Sequence, residues 1–474
     1  MRASFLGFEI AKTGLQAAET GLDVTGQNMA KMNTEGYSRQ TIEQTSVYYN
    51  STSYKYALVN SDRIGQGVSI GRITQVRDAF LDARYRSAKS ADSELTKKLS
   101  ILTNIENIYD ETLTDGLGAT LEDFYKSLQT LAANAGDIEY SGLARSNAQK
   151  ITETLNYYNT QLETIKEQEK FDLTVSVNDI NTLLNKIKTM NNTIQFESLQ
   201  GNTTNELLDT RNLYFDDLAS YVNITTEVNA DGTVNVKAGT QYLIDATNAT
   251  SFTLSLQESS GSLQVITQNG ELEISSGSIK GYLDVLNGKG TYATSGENDT
   301  KGIKYYQSSL DNFATKFAEL FNGLNGTGKP LFIGNTASTI GISQEWLSDA
   351  NYITATTNTV VTDGDNDNIL RMISTLDSKT NISDNFIGTF DEYVSMMMTD
   401  IAIDVNYVSD LNSTSGKVLS SVDNQREAVK GVSLNEETVN LLKYQKAFEA
   451  SSRVITALDE MLDIIINRMG TVGR

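Results

Sequence analysis

Carboxylates are the chemical groups this chain offers most freely, and their spacing decides what they could do. In DGDNDN (Asp363 to Asn368) acids fall at positions 1, 3 and 5, as at the opening of a calcium-binding loop. The later positions break the pattern, with Asn368 where that loop needs glycine and Ser374 where it needs a bidentate glutamate. The segment therefore reads as an exposed turn capping a helix that starts near Ile369. The acid pairs Glu436-Glu437, Asp216-Asp217 and Glu111 with Asp115 could do glycosidase or metal chemistry only inside a cleft. Their sequence neighbours supply no basic or aromatic partner, so they read as solvated helix faces or ends, Glu436 and Glu437 also suiting a helix N-terminus. Two glycine-rich stretches fail as phosphate cradles. GQGVSIG (Gly65 to Gly71) leads into an extended run where a helix is needed, and GTGK (326 to 329) is followed by Pro330-Leu331.

Composition closes most remaining routes. Among 474 residues there is no Cys, no His and one Pro. Thiol nucleophiles, thiolate metal sites, His general bases and Ser-His-Asp triads are all excluded. No catalytic, cofactor-binding or metal-binding residue is assigned, and an enzyme is not expected. A formal charge of −22 argues against a nucleic-acid surface and against a polybasic membrane patch. The opening MRASFLGFEIAKTG is too short an apolar run for a signal-peptide core, and no window of about 18 apolar residues predicts a membrane-spanning helix.

With little chemistry to position, the elements themselves carry the message. Phe8, Leu15, Leu22 and Met29 fall seven apart, with Ala11, Ala18, Thr25 and Met32 three residues behind. At the other end Leu434, Leu441, Phe448, Ile455, Leu462 and Met469 keep the same period, flanked by Tyr444, Ser451, Leu458 and Ile465. Sustained heptads predict long helices with a coiled-coil seam. These ten larger residues form the expected assembly interface, and the two ends are expected to be poorly ordered until partners cover them. Between them, a stripe through Leu81, Tyr85, Leu95 and Ile105 predicts one helix. Another, from about Ser141 to Ser198, carries Ile151, Leu155, Tyr158, Leu162 and Ile165, then Leu173, Val177, Ile180, Leu184 and Ile187. The gap from Ile165 to Leu173 reads as a stutter. Later helices are marked by Leu310, Phe313 and Phe317, and by Phe390, Tyr393, Met397 and Ile401; Met396-Met397-Met398 reads as core filler.

From Val222 to Ile274 the period changes to two. TVNVKAG, QYLID, SFTLSL and LQVIT have the length and composition of strands, with turns at Ala230-Asp231-Gly232 and Ser259-Ser260-Gly261. The fold class that follows is mainly α with a β-rich inserted domain, built on a long antiparallel helical or coiled-coil bundle from discontinuous N- and C-terminal segments. The expected units are 1–35 with 433–474 as a terminal coiled coil, 36–221 with 302–432 as a long-helix bundle with short β elements, and 222–301 as a β-rich outer insert.

NMAKMNTEGYSRQ (Asn28 to Gln40) resembles the turn that ends the N-terminal helix in bacterial flagellar rod, hook and hook-associated proteins. Asn33, Gly36, Tyr37, Ser38 and Arg39 are similar in particular to the hook-associated protein 1 family (FlgK). In this chain Asn33 and Gly36 suit a helix exit at positive φ, with Tyr37 beginning an extended segment. GQGVSIGRITQVRDAFLDARYRSA (65 to 88), NELLDTRNLYFDDLASYVNI (205 to 224), GIKYYQSSLDNFATKFAELFN (302 to 322) and the closing 433 to 469 resemble further stretches of that family.

The resemblance implies a structural adaptor at the hook–filament junction, self-assembling through its terminal helices after type III export to the extracellular flagellum. It implies as partners the hook protein, a second junction protein, copies of itself in a ring and a cytoplasmic export chaperone on the C-terminal helix, with no nucleic acid and no membrane. The alternatives are another axial protein, such as the second junction protein or a flagellin-like chain, or a surface adhesin using the β insert.

Overall fold

The computed structural model describes residues 5–47, 67–109, 116–247, 250–358 and 364–468. Glu111, Asp115, Asp363 and Met469 lie outside the described residues. In chain order the elements are α1 (Phe5–Ala30), β1 (Gln40–Ser46), β2 (Val68–Gln75), α2 (Ala79–Glu106), α3 (Leu117–Ala133), α4 (Ile138–Leu199) and α5 (Asn205–Tyr221). Short strands follow: β3 (Ile224–Val228), β4 (Val234–Ala238), β5 (Gln241–Asp245), β6 (Thr250–Ser251), β7 (Ser255–Ser259), β8 (Ser262–Thr267) and β9 (Gly270–Glu271). Then come α6 (Ser278–Asn287), α7 (Ile303–Asn325), β10 (Phe332–Ile333), β11 (Gly341–Ile342), α8 (Gln344–Ser348), α9 (Asp367–Asp377), β12 (Thr380–Ser383) and β13 (Phe386–Gly388). The chain closes with α10 (Phe390–Lys430) and α11 (Leu434–Asp463), the latter extended by a π-helical turn, Ile464–Arg468.

The spine is α4, 62 residues long and so about 90 Å at the helical rise of ~1.5 Å per residue. Asp137 caps its start by accepting from the Glu139 amide. Its apolar stripe is buried from Ile151 to Leu162 and again from Leu173 to Ile187. At the stutter the buried position is Glu169, whose carboxylate lies 3.9 Å from Lys97 Nζ of α2. One end of α4 receives α3 and α7, where Phe124, Phe313, Phe317, Phe321, Phe332, Phe390 and Trp346 form an aromatic core. Met397 sits in the same hydrophobic cluster. The other end receives α5, α6 and the strands.

The strands form a four-stranded antiparallel sheet, β3-β4-β5-β6, and a three-stranded one, β7-β8-β9. Val234, Val236, Leu243 and Val265 belong to the same hydrophobic cluster as Leu184 and Ile187 of α4, so the insert shares its core with the helices. Two local outcomes differ from the β-rich pattern. Residues 278–287 are helix α6, because Ile279, Tyr282, Val285 and Leu286 recur at threes and fours and bury together. SFTLSL is split, since Leu254 turns inward between β6 and β7. Its amide donates to Asn181 Oδ1 and its carbonyl accepts from Asn181 Nδ2, at 2.8 and 2.9 Å.

That two-point contact recurs. Asn191 of α4 holds the amide and carbonyl of Val234, and Asn287 of α6 those of Leu263. Asn322 of α7 accepts from the amides of Leu331 and Phe332 and donates to the Phe332 carbonyl. Each asparagine replaces the missing neighbour of an unpaired backbone stretch.

The DGDNDN helix starts two residues before the expected Ile369, at Asp367, whose carboxylate accepts the hydroxyls of Thr356 and Thr357. GTGK is a turn between α7 and β10, with Gly326 and Gly328 at φ 109° and 78°.

The terminal helices pair antiparallel within one chain. Gly7 faces Leu458, Gly14 faces Ser451 and Gly21 faces Tyr444, seven residues down α11 for every seven up α1. This glycine column lies one position before the column of Phe8, Leu15 and Leu22, and it lets a bulky α11 side chain rest against α1 backbone. Glycine is a poor helix former, so a search for apolar heptads passes over it. A Cβ at Gly21 would lie 2.5 Å from the Tyr444 ring, at Gly14 3.1 Å from the Ser451 hydroxyl and at Gly7 3.4 Å from Leu458. Gly21→Ala is therefore expected to loosen the pair, overpacking costing about 1–3 kcal/mol. Gly7→Ala should be neutral or stabilising, because alanine gains about 1 kcal/mol in helix propensity. Protease protection of residues 5–30 in the two variants reads the difference, and equal protection would refute the close-approach seam.

Candidate functional site: an ionic node below the terminal helices

The sequence stretches singled out above come together at one end of the α1/α11 pair. Gly36 exits the turn after α1 at φ 78°, while Asn33 is exposed in that turn and has no positive φ. Tyr37, Ser38 and Arg39 then run extended into β1, and each side chain has a different task. The Tyr37 hydroxyl donates to Asn28 Oδ1 at 2.7 Å. Ser38 donates both its amide and its hydroxyl to Asp209 of α5, at 3.1 and 2.7 Å. The Arg39 amide donates to the Lys430 carbonyl at the end of α10, and its guanidinium pairs with Glu436 of α11.

Asn28 closes the glycine column of α1, seven residues after Gly21. It is buried with its hydrogen-bonding capacity filled: Oδ1 accepts from Tyr37 and the Gln40 amide, and Nδ2 donates to the Gln40 carbonyl and to Glu437 Oε2. Glu437 is 2% exposed, in the first turn of α11. One amide thus joins α1, β1 and α11.

Beneath it three arginines and three aspartates alternate. Arg77 holds Asp82 through Nε and Nη2 at 3.1 and 3.0 Å and reaches Asp209 at 3.2 Å. Arg426 of α10 bridges Asp82, at 2.7 Å, and Asp216 of α5. Arg86 binds Asp216 at 2.9 Å and Asn212 at 3.0 Å. Tyr85 stacks on Arg426, and Phe215 on Arg86, covering the guanidinium faces. Next to this set Arg211 donates to Asn191 and to the Gly232 carbonyl, tying α5 to α4 and to the turn before β4.

The charges respond to burial unequally. Burial would raise the Asp82 carboxyl, but hydrogen bonds and charge from Arg77, with Arg426 and Arg86 beyond, hold it below its ordinary 3.8. At Asp209 burial wins, and the carboxyl sits above its ordinary value despite Ser38 and Arg77. Burial and neighbouring Arg86 push Arg211 down to about 10. Burial, then the nearby Asp209, push Tyr37 up to about 12.

One expectation is corrected. The two described acid pairs are not wholly solvated faces: Asp216 and Glu437 are buried, while their neighbours Asp217 and Glu436 are not. Their partners, Arg86, Arg426 and Asn28, come from distant segments, where a search of sequence neighbours cannot find them. The larger heptad residues are not the innermost ones. Phe8, Leu15, Leu22, Met29, Leu441, Phe448, Ile455 and Leu462 are half-buried, and Leu434 is 48% exposed, whereas Ala11, Ala18, Gly21, Thr25 and Asn28 are buried. Asp82, Arg86, Asp209, Asp216, Arg426 and Asn28 received no role from sequence. Their signal was a charge or amide at a buried helical position, as where Asp82, Arg86 and Ser90 replace an apolar stripe at steps of four.

In this arrangement the arginines and aspartates neutralise one another and fasten segments. Comparison with known proteins agrees in class. Residues 428–469 match the model of the flagellar basal body rod FlgEFG protein C-terminal region. Residues 102–340 match the model of the flagellar hook-associated protein FlgK helical domain. Flagellar hook-associated protein 1 of Bacillus subtilis is 28% identical, the match covering 100% of both chains. That of Escherichia coli is 24% identical over 96% of this chain and 98% of its own. The solved flagellar hook junction protein FlgK from Burkholderia pseudomallei shares the fold, with a TM-score of 0.61 at 12% identity over 73% of this chain and all of that one. The chain belongs to the flagellar hook-associated protein FlgK family, whose members are structural proteins of the bacterial flagellum.

Removing one partner of the node strands the others. Arg426→Ala should cost about 3–5 kcal/mol in urea unfolding at neutral pH, the usual cost of orphaning a buried charge. The acid limb follows from Asp82. Its lowered value contributes stability that is complete above 3.8 and lost as pH falls below it, while Asp209, with its raised value, acts in the opposite sense. Asp82→Asn should be less stable at neutral pH yet lose less further stability below 3.8 than the unmodified chain does. A parallel decline of the two would refute the assignment.

Proposed function

We propose that the protein is the structural adaptor of the hook–filament junction, polymerised in a ring between the hook protein and the second junction protein. Residues 1–35 and 433–474 form its assembly core, carried by the body of 36–221 and 302–432, with the 222–301 insert facing outward. The chain passes unfolded through the flagellar type III pathway to the cell exterior, a cytoplasmic chaperone holding the C-terminal helix beforehand. Absence of Cys and near-absence of Pro support this route, since neither disulfide exchange nor prolyl isomerisation delays refolding at a distal tip.

The observation that carries the self-assembly reading is a second seam on α11. Tyr444, Ser451 and Leu458 face α1, but Ala447, Ala450, Val454, Ala457, Met461 and Ile464 are exposed. These six alternate steps of three and four, the spacing of a coiled-coil contact, and three are alanines that allow close approach. Exposed apolar helix faces of this kind mark interaction surfaces. Packing of this seam on a neighbouring copy extends the α1/α11 pair into a continuous inner layer.

Val454→Glu with Ala457→Glu should abolish self-association in sedimentation at high concentration, and leave monomer melting unchanged because both sites are exposed. Undiminished polymerisation would refute this surface. In cells, deletion of the chain should leave intact hooks with flagellin released to the medium; filaments growing normally on those hooks would refute the junction role.

A further inference from the structure

The sequence contains four Asn–Gly pairs, the dipeptide in which an asparagine amide is most easily lost, because glycine leaves the following backbone nitrogen unshielded. The structure treats them differently. Asn287 is fixed by its two-point contact with Leu263, and the Gly288 amide is engaged with the Asp284 carbonyl at 2.9 Å. Asn322 is fixed by three hydrogen bonds to Leu331 and Phe332. Asn325 is buried, donating to the Lys329 and Tyr352 carbonyls and accepting from the Thr354 amide. In each, these hydrogen bonds must break before the side-chain amide can swing toward the next backbone nitrogen.

At Asn269-Gly270 the asparagine side chain has no such restraint, although Gly270 itself pairs with Thr267 at the end of the β8/β9 ladder. It forms the β8–β9 turn, where Gln268, Asn269 and Gly270 are all exposed, and Gly270 is at φ 111° with open space where a Cβ would stand. The Asn269 backbone amide donates to Thr267 Oγ1, while its side chain makes no hydrogen bond among the described residues. We propose that Asn269 is a site of spontaneous covalent modification. The Gly270 backbone nitrogen attacks Asn269 Cγ, forming the ring C–N bond and losing its proton; the Cγ–NH2 bond breaks and ammonia leaves. Water then opens the succinimide at either carbonyl, giving aspartate or isoaspartate, with no oxidant, reductant or further reactant.

The position makes the change consequential. Thr267 Oγ1 donates to Gln241 Oε1, and Gln241 Nε2 donates to the Glu271 carbonyl, so one β5 side chain spans the turn and ties the two small sheets together. Isoaspartate lengthens the backbone between Thr267 and Gly270, which pair in register, and either product adds a carboxylate beside Glu271 and Glu273. The turn therefore records the age of the folded protein and loosens this join as it does so.

Peptide mapping by mass spectrometry of the full-length protein, held folded in mildly alkaline buffer over days to weeks, tests the proposal. The expected result is loss of the amide at Asn269 while Asn287, Asn322 and Asn325 retain theirs, with all four reacting once urea unfolds the chain. Fragmentation that distinguishes isoaspartate from aspartate should find both products. Retention of the Asn269 amide for as long as the other three, or loss at comparable rates from all four in the folded protein, would overturn it.

Discussion

A charge taken out of water costs several kcal/mol unless an opposite charge and well-aimed hydrogen bonds meet it, and six such charges meet at one point in this protein. No two neighbouring segments satisfy them. Arg77, Asp82 and Arg86 come from the approach to α2 and its first turns, Asp209 and Asp216 from α5, Arg426 from the end of α10. The three elements must arrive together, and Ser38 adds the stretch after α1. An assembly of this kind penalises partial structures more than it rewards the complete one, which suits a joint whose alternatives must be excluded.

Its location explains the architecture on either side. Among the described residues, the hydrophobic cluster running along α4 contains none from α1 or α11. The terminal pair therefore stands apart from the core, attached through the node, through Asn28 and Arg39, and through β1 and β2 beside α1. A long helical pair with its own seam is thus tied to a body with its own core largely by ion pairs and hydrogen bonds.

Legibility in the sequence followed the kind of force involved. Long apolar periodicities announced α4, α7 and the start of α10 because burial needs only one-sided apolar spacing. Short strands are legible where they alternate and not where Leu254 turns inward, and α6 lies beyond the alternating stretch inside the unit expected to be β-rich. The terminal helices were legible, but not the residues at their contact, because glycines contribute by the absence of a side chain. The node was least legible. Asp216 and Glu437 look like any surface acid until the fold supplies Arg86, Arg426 and Asn28 from far along the chain.

The asparagine contacts carry a different consequence. Asn181, Asn287 and Asn322 grip amide and carbonyl groups, not side chains; Asn28 and Asn191 do the same while also binding Tyr37, Glu437 and Arg211. A joint that reads only main chain is blind to what its partner position encodes, provided an N–H is present. At Gln40, Leu254, Val234, Leu263 and Phe332 the clamp itself excludes only proline, and packing alone limits the side chain, whereas each asparagine is fixed by its own amide. Each clamp thus divides its constraint unevenly: the asparagine side is set by hydrogen-bond chemistry, the main-chain side by volume alone.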